Sequence, residues 1–392
     1  MAEFEEGQES EEEVIADESS GEKPYYFQLD VLKAIAIAFV VMDHSLTWEI
    51  KGSLASVFWE RLSIPFFLLV MGFNLGHSFK HRGIENLKQL YTREYFVRRF
   101  NRYVFPFIVL YVGSLILGSL LGYISWNEYT LIGFLPFWGP GNWFIALLFG
   151  SILVFPLVYW AFNKQPVLTL VFCFLCEIFM QLIMYLYFPY PYGSELEAFI
   201  VTAIRLNVLF FLPAVGLGLW FSRGYSLTSP RNYFVYLYAL LSIVFMIDYQ
   251  TWYLASQPGA VGQFFIFMLE FIRGDYTFLF YGYAAFLFLL TMRALPSQAS
   301  GRIQRLIQDM GRASYHILLF QIFYMSIVYW LTTNDAVIHH FIPDFAAIFG
   351  WPSVYFYIPF YLMNLTISFT GGMLWYYSEK HLDEREKERI NA

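Results

Sequence analysis

The chain is 392 residues long, 58% hydrophobic and 22% aromatic, with only 14% charged and a mean hydropathy of +0.49, where an ordinary soluble domain is roughly a quarter charged. Water cannot solvate such a surface, so a soluble enzyme and a nucleic-acid-binding module are both excluded, and a lipid bilayer is the expected partner. The net charge of -7 is concentrated at one end: the first 23 residues hold ten acidic residues against Lys23 alone, a charge of -9 that leaves the remainder near +2.

Residues 1–24, rich in Glu and Ser, cannot bury enough apolar area to offset their ordering entropy and read as a disordered acidic tail. They lack the basic start and apolar centre of a cleavable signal, so insertion is expected to begin with the first membrane helix. Apolar runs long enough to cross a roughly 30 Å hydrocarbon layer then recur through residues 25–378. They lie near 29–48, 56–79, 103–123, 142–161, 166–188, 200–221, 232–252, 275–293, 312–332 and 352–377. The expected fold is therefore all-α, a polytopic bundle of about ten transmembrane helices. The stretch 261–272 is too short to cross alone, and 379–392 is a charged tail expected to continue as a helix.

Basic residues test this placement, because Lys and Arg accumulate on the cytoplasmic side of membrane helices. Alternate connections and the C-terminal tail hold eighteen, including Arg98, Arg99 and Arg102, against four on the opposite side, Lys51, Arg61, Arg205 and Arg273. The expected topology is a multi-pass protein of the cell membrane with both termini cytoplasmic. Cys173 and Cys176 lie inside an apolar run and read as small lipid-phase side chains rather than a redox or metal pair. No metal site is expected. The pairs Gly72/Gly76 and Gly118/Gly122 suit close helix packing.

The first span reads LDVLKAIAIAFVVMDHS and places Lys33 and His44 eleven residues apart. They lie about 20° from eclipse on one helix face and about 16 Å apart along the axis. Ionisable groups within a membrane face a polar cavity or a partner by default. A purely structural role remains open on the residues alone, with Lys33 snorkelling beside Asp30 and His44 satisfying a neighbouring helix. Asp43, 100° round the helix from His44, is not expected to orient it. Glu177 and Arg205 offer an ion pair between the fifth and sixth spans, and Asn364 is a further polar group within a span.

A basic residue, ten positions, then His, in a span opening Leu-Asp-x-Leu, resembles the signature of the acyltransferase 3 family of integral membrane acyltransferases. Other segments agree in order. Pro65 through Phe73 resemble the second-span pattern ending in Ser-Gly-Phe, with Met71 in place of serine; VRRFNRYVFPF, holding Arg98, Arg99, Arg102 and Pro106, resembles the Arg-x-x-Arg segment entering the third span. Trp143 and Phe144 resemble the Trp-Phe opening the fourth, without the preceding histidine. GRASYHILLFQ, with Ser314 and Tyr315, resembles a ninth-span motif ending in histidine, where Gln321 stands instead.

The resemblance implies transfer of an acyl group, acetyl foremost, from acyl-CoA to a hydroxyl of a carbohydrate or envelope glycan, with acyl-CoA as donor substrate and no permanently bound cofactor. A hydroxyl needs a base to take its proton as it attacks a thioester, and His44 is the candidate. Lys33, Arg98, Arg99 and Arg102 are candidates to bind the donor phosphates, and Asp30, Trp143, Glu177, Arg205, Ser314, Tyr315 and Gln321 are candidates to line the cavity. The Lys33-to-His44 rise is commensurate with a pantetheine arm. A polytopic transporter or flippase for a polar solute, or a non-catalytic polysaccharide export factor, stays open as the alternative. The acceptor and the oligomeric state have no sequence signal.

Overall fold

Inside the hydrocarbon layer no water is available to bond the backbone, so a chain of this composition must satisfy each N–H and C=O within its own helices. The computed structural model describes residues 25–46, 48–84, 86–122, 124, 139–188, 192–255, 271–272, 276–331 and 354–391; among these it contains helices and no strand. The acidic tail 1–24 and most of the stretches 261–272 and 333–351 lie outside the described residues.

The chain enters α1 (Phe27–Ser45) through two long-range ties: the Phe27 N–H donates to Ser297 O at 2.7 Å, and Gln28 Nε2 donates to Leu295 O at 3.0 Å. Two short helices, α2 (Trp48–Ser53) and α3 (Val57–Glu60), cap its far end before α4 (Ser63–His81) returns beside it. After α5 (Leu87–Leu90), Thr92 accepts the Tyr95 N–H to start α6 (Arg93–Arg99). A π-helical turn, Phe100–Val104, then leads without a break into α7 (Phe105–Leu120), with Pro106 just past the junction.

Two long helices follow, α8 (Trp143–Lys164) and α9 (Pro166–Tyr187). On α9, Leu168, Phe172, Leu175, Phe179, Leu182 and Leu186 are exposed, while Thr169, Cys173, Glu177 and Gln181 are buried. Both sets recur at steps of three or four, so the helix turns its apolar stripe outward and its polar one inward, as lipid rather than water demands. Then come α10 (Glu195–Arg205), α11 (Leu212–Phe221), α12 (Phe234–Ala255), α13 (Phe278–Ala294), the amphipathic α14 (Arg302–Arg312), α15 (Ser314–Leu331) and the 38-residue α16 (Val354–Asn391). The expected tail helix is the unbroken end of α16.

By length and apolarity, five stretches suffice to cross a bilayer: Val57–His81, Leu87–Leu120, Trp143–Lys164, Pro166–Tyr187 and Pro230–Gln250. A sixth is added if Glu195–Arg205 and Val208–Phe221, bent by 44°, form one span. The protein is thus a multi-pass helical membrane protein. The remaining expected spans fall on α13 and α15, which are shorter apolar helices, and on α1 and α16, which carry more polar residues. Length and composition therefore support five or six spans and leave ten as an expectation.

Close packing rests on glycine where it was expected. A Cβ at Gly72 would lie 2.3 Å from Val215 O and one at Gly76 2.1 Å from Ser222 Oγ, so α4 meets α11 at a distance only glycine permits. Gly122 instead has a positive φ of 65° and nothing within 4 Å, so it ends α7 rather than packing it.

Candidate functional site

A cavity of about 870 Å³ opens at the Lys33 end of α1. Lys33 and Asp30 reach it from α1, Arg98, Arg99, Arg102 and Tyr103 from α6 and the π turn, and Arg312, Ser314, Tyr315 and His316 from α14 and α15. Gly311 sets this convergence: a Cβ there would stand 2.3 Å from Asp30 O, so α14 can press against the start of α1 only without one.

Aromatic rings hold the cations in place. The Arg99 guanidinium lies 5.4 Å over Tyr95 and 5.7 Å over Tyr103, whose hydroxyl accepts from Arg99 Nη1 at 3.3 Å; Arg102 lies 5.4 Å over the same Tyr103 ring. The Tyr315 hydroxyl donates to Tyr103 O at 2.7 Å, tying α15 to this turn. Both carboxylates on the wall are engaged. Asp30, 2% exposed, pairs with Lys33 at 2.5 Å, and Glu379 of α16 binds His316 Nε2 at 2.8 Å and accepts from Trp375 Nε1 at 3.0 Å. Five cationic side chains on one cavity wall suit a polyanionic ligand.

His44 stands at the other end of α1, in a second polar setting. The Gln321 side-chain amide meets its Nδ1 at 3.0 Å. Gly141, with φ of 91°, lies against the ring: a Cβ there would be 3.3 Å from His44 Cε1. Lys51, on α2 folded back over the end of α1, binds Asp43 Oδ1, and the other oxygen is 3.6 Å from His44 Nε2. At 3.6 Å the carboxylate makes no hydrogen bond to the ring. Asn364 Nδ2 donates to Ser45 Oγ at 3.0 Å, fixing α16 to the same helix end.

The two polar regions are separated. The cavity wall includes Phe67, Phe144 and Leu318 but not His44. Phe67 and Phe144 rings are 5.9 Å apart, and Phe144 and Leu318 each lie three residues in sequence from a neighbour of His44, Gly141 in the turn before α8 and Gln321 on α15 respectively. The lining therefore combines the cationic side chains with these apolar ones, and His44 is not part of it.

The acyltransferase domain family matches residues 26–373, nearly the whole chain. The chain belongs to the acyltransferase 3 family. No curated protein and no solved structure matches it. Membership makes the protein a membrane acyltransferase and favours the enzyme over the transporter alternative.

Within this acyltransferase the remaining expected site residues divide. Asp30, Ser314 and Tyr315 line the basic cavity with Lys33, Arg98, Arg99 and Arg102. Gln321 belongs to the His44 setting. Trp143 is not on the cavity wall; it stacks on Phe211 at 5.9 Å and lies 6.0 Å from Tyr276, which sits under the Arg61 guanidinium. Glu177 is fully buried and accepts the Phe278 N–H at 2.7 Å, which joins α9 to α13 and replaces the pair expected with Arg205. Arg205, half-buried at the end of α10, is likewise off this wall. Arg312, His316 and Glu379 were not anticipated as site residues. Only Arg312 and His316 carried a signal, standing within GRASYHILLFQ; Glu379 reads locally as part of a charged tail.

Proposed function

We propose that this acyltransferase transfers an acyl group, acetyl foremost, from acyl-CoA to a hydroxyl of a carbohydrate or envelope glycan. The proposed setting is the cell membrane, crossed about ten times, with both termini cytoplasmic; the eighteen-to-four bias of Lys and Arg supports that orientation. One observation carries the reading: a cavity walled by Lys33, Arg98, Arg99, Arg102 and Arg312 extends to Phe144 and Leu318, each three residues in sequence from a neighbour of the half-buried His44 imidazole. The donor's phosphates engage the arginines, which offer paired hydrogen bonds, and its pantetheine arm runs along α1 towards His44. Phe67, Phe144 and Leu318 part to let the thioester through.

His44 Nε2 takes the acceptor's hydroxyl proton as the oxygen bonds to the thioester carbon. The carbon–sulfur bond then breaks, and the CoA thiolate leaves with the proton returned by the imidazolium. This requires the resting proton on Nδ1, donated to an oxygen. Gln321 provides one: its Oε1 is buried without another partner, and a half-turn of the amide exchanges oxygen for nitrogen at Nδ1. Membranes bearing the protein, given acetyl-CoA labelled in the acetyl group, are expected to accumulate label in alkali-labile glycan esters. Label no greater than in membranes lacking the protein contradicts the reading.

A further inference from the structure

The edge of His44 away from Gln321 is paired with a carboxylate that the mechanism above does not use. Asp43 Oδ1 is held by Lys51, so the carboxylate has a fixed attitude, and Oδ2 is left facing His44 Nε2 across 3.6 Å. That gap is too long for a hydrogen bond between the two atoms. Both side chains keep some access, 15% exposed for His44 and 19% for Asp43. With the Gln321 amide turned so that Nδ1 carries the ring proton, as the mechanism above requires, the pair is two hydrogen-bond acceptors side by side.

We infer that Asp43 and His44 together form an acceptor subsite for a vicinal diol, two hydroxyls on adjacent carbons of a sugar ring. The inference rests on the acyl-transfer reading and deepens it. A lone hydroxyl has one proton and can satisfy one of the two acceptors, leaving the Asp43 oxygen without a donor. Neighbouring ring hydroxyls are spaced like a hydrogen-bonded pair, about 2.8 Å, and present two protons in parallel to two acceptors 3.6 Å apart. One hydroxyl gives its proton to Nε2 as its oxygen bonds to the acyl carbon and the carbon–sulfur bond breaks. The second keeps its proton, donates to Asp43 Oδ2 and is not acylated. Asp43 thereby selects the acceptor and aims the reacting oxygen; it is a binding residue and takes no proton. Lys51 contributes by keeping Oδ1 occupied, so that the carboxylate cannot rotate away from the ring.

The test uses the full-length protein in lipid nanodiscs with acetyl-CoA and two ring alcohols, cis-cyclohexane-1,2-diol and cyclohexanol. Ester formation is read by mass spectrometry, and binding by the 15N signals of labelled His44. The wild type is expected to favour the diol by roughly ten- to a hundredfold in ester formed, the worth of one hydrogen bond to a charged group, and only the diol shifts the His44 signals at matched concentration. In Asp43→Asn the diol-to-cyclohexanol ratio falls to about one. Equal responses of the wild type to both alcohols, including none to either, overturn the inference, as does a diol preference that survives in Asp43→Asn. His44→Ala separates the two levels: ester formation persisting in that variant sinks the base mechanism, whereas its loss alongside equal use of both alcohols by the wild type sinks only the diol subsite.

Discussion

Lys33 and His44 are almost equally exposed, 17% and 15%, at opposite ends of one helix, yet their neighbours differ in kind. Around Lys33 the cations face an 870 Å³ space; Lys33 is paired with Asp30 and Arg98 with Glu94, while Arg99 and Arg102 are backed by tyrosine rings, which hold charge in place without neutralising it. Around His44 one hydrogen bond from Gln321 and a glycine seat a single ring. An open, charged surface suits a large anion that must come and go, whereas a tightly seated imidazole suits proton transfer, which tolerates little misplacement. Phe67, Phe144 and Leu318 belong to the cavity wall, and His44 does not.

The largest expected effect comes from removing a charge at the open end. Lys33→Met leaves Asp30 buried without its cation and should destabilise the protein by about 3–5 kcal/mol, as broken buried pairs do. Thermal unfolding in detergent measures this, and adding Asp30→Asn to the same chain should restore most of it. No rescue would show that the pair is not what holds α1. At the closed end, Gly141→Ala places a Cβ 3.3 Å from the His44 ring and on an unfavourable φ of 91°. Acyl transfer should fall about a hundredfold with acetyl-CoA affinity retained. An equal loss of affinity would mean that the two ends are not separable.

Arg99→Gln should raise the dissociation constant for acetyl-CoA about tenfold, measured by equilibrium binding, and flatten its salt dependence. Unchanged affinity would remove Arg99 from the donor site. The smallest effect is expected for Arg98, which is 46% exposed and paired with Glu94 one turn away. Arg98→Ala should alter stability by about 1 kcal/mol or less, within the scatter of a thermal melt, and a larger shift would mark this pair as structural.

The helices were legible because bilayer thickness dictates the length of an apolar run: the expected runs 142–161 and 166–188 became Trp143–Lys164 and Pro166–Tyr187. The basic cavity was legible in part, since Lys33 and the Arg98, Arg99 and Arg102 segment announce themselves locally. What was hidden depends on contacts between distant residues. Gln321 read as a departure from a motif, and its role at His44 exists only once residues 277 apart meet. Glu379 read as a solvated charge until α16 carried it back to His316. The apolar part of the cavity wall was invisible for a different reason: in a chain that is 22% aromatic, nothing distinguishes a phenylalanine that lines a cavity from a packing one.

The account stands most directly on acyl transfer by His44→Ala, measured with labelled acetyl-CoA beside an equilibrium binding isotherm for the same donor. Transfer is expected to fall by roughly a hundred- to ten-thousandfold, with acetyl-CoA affinity within a factor of about two of wild type because the arginine wall lies elsewhere. Transfer at the wild-type rate, or a loss explained entirely by weaker donor binding, would contradict it.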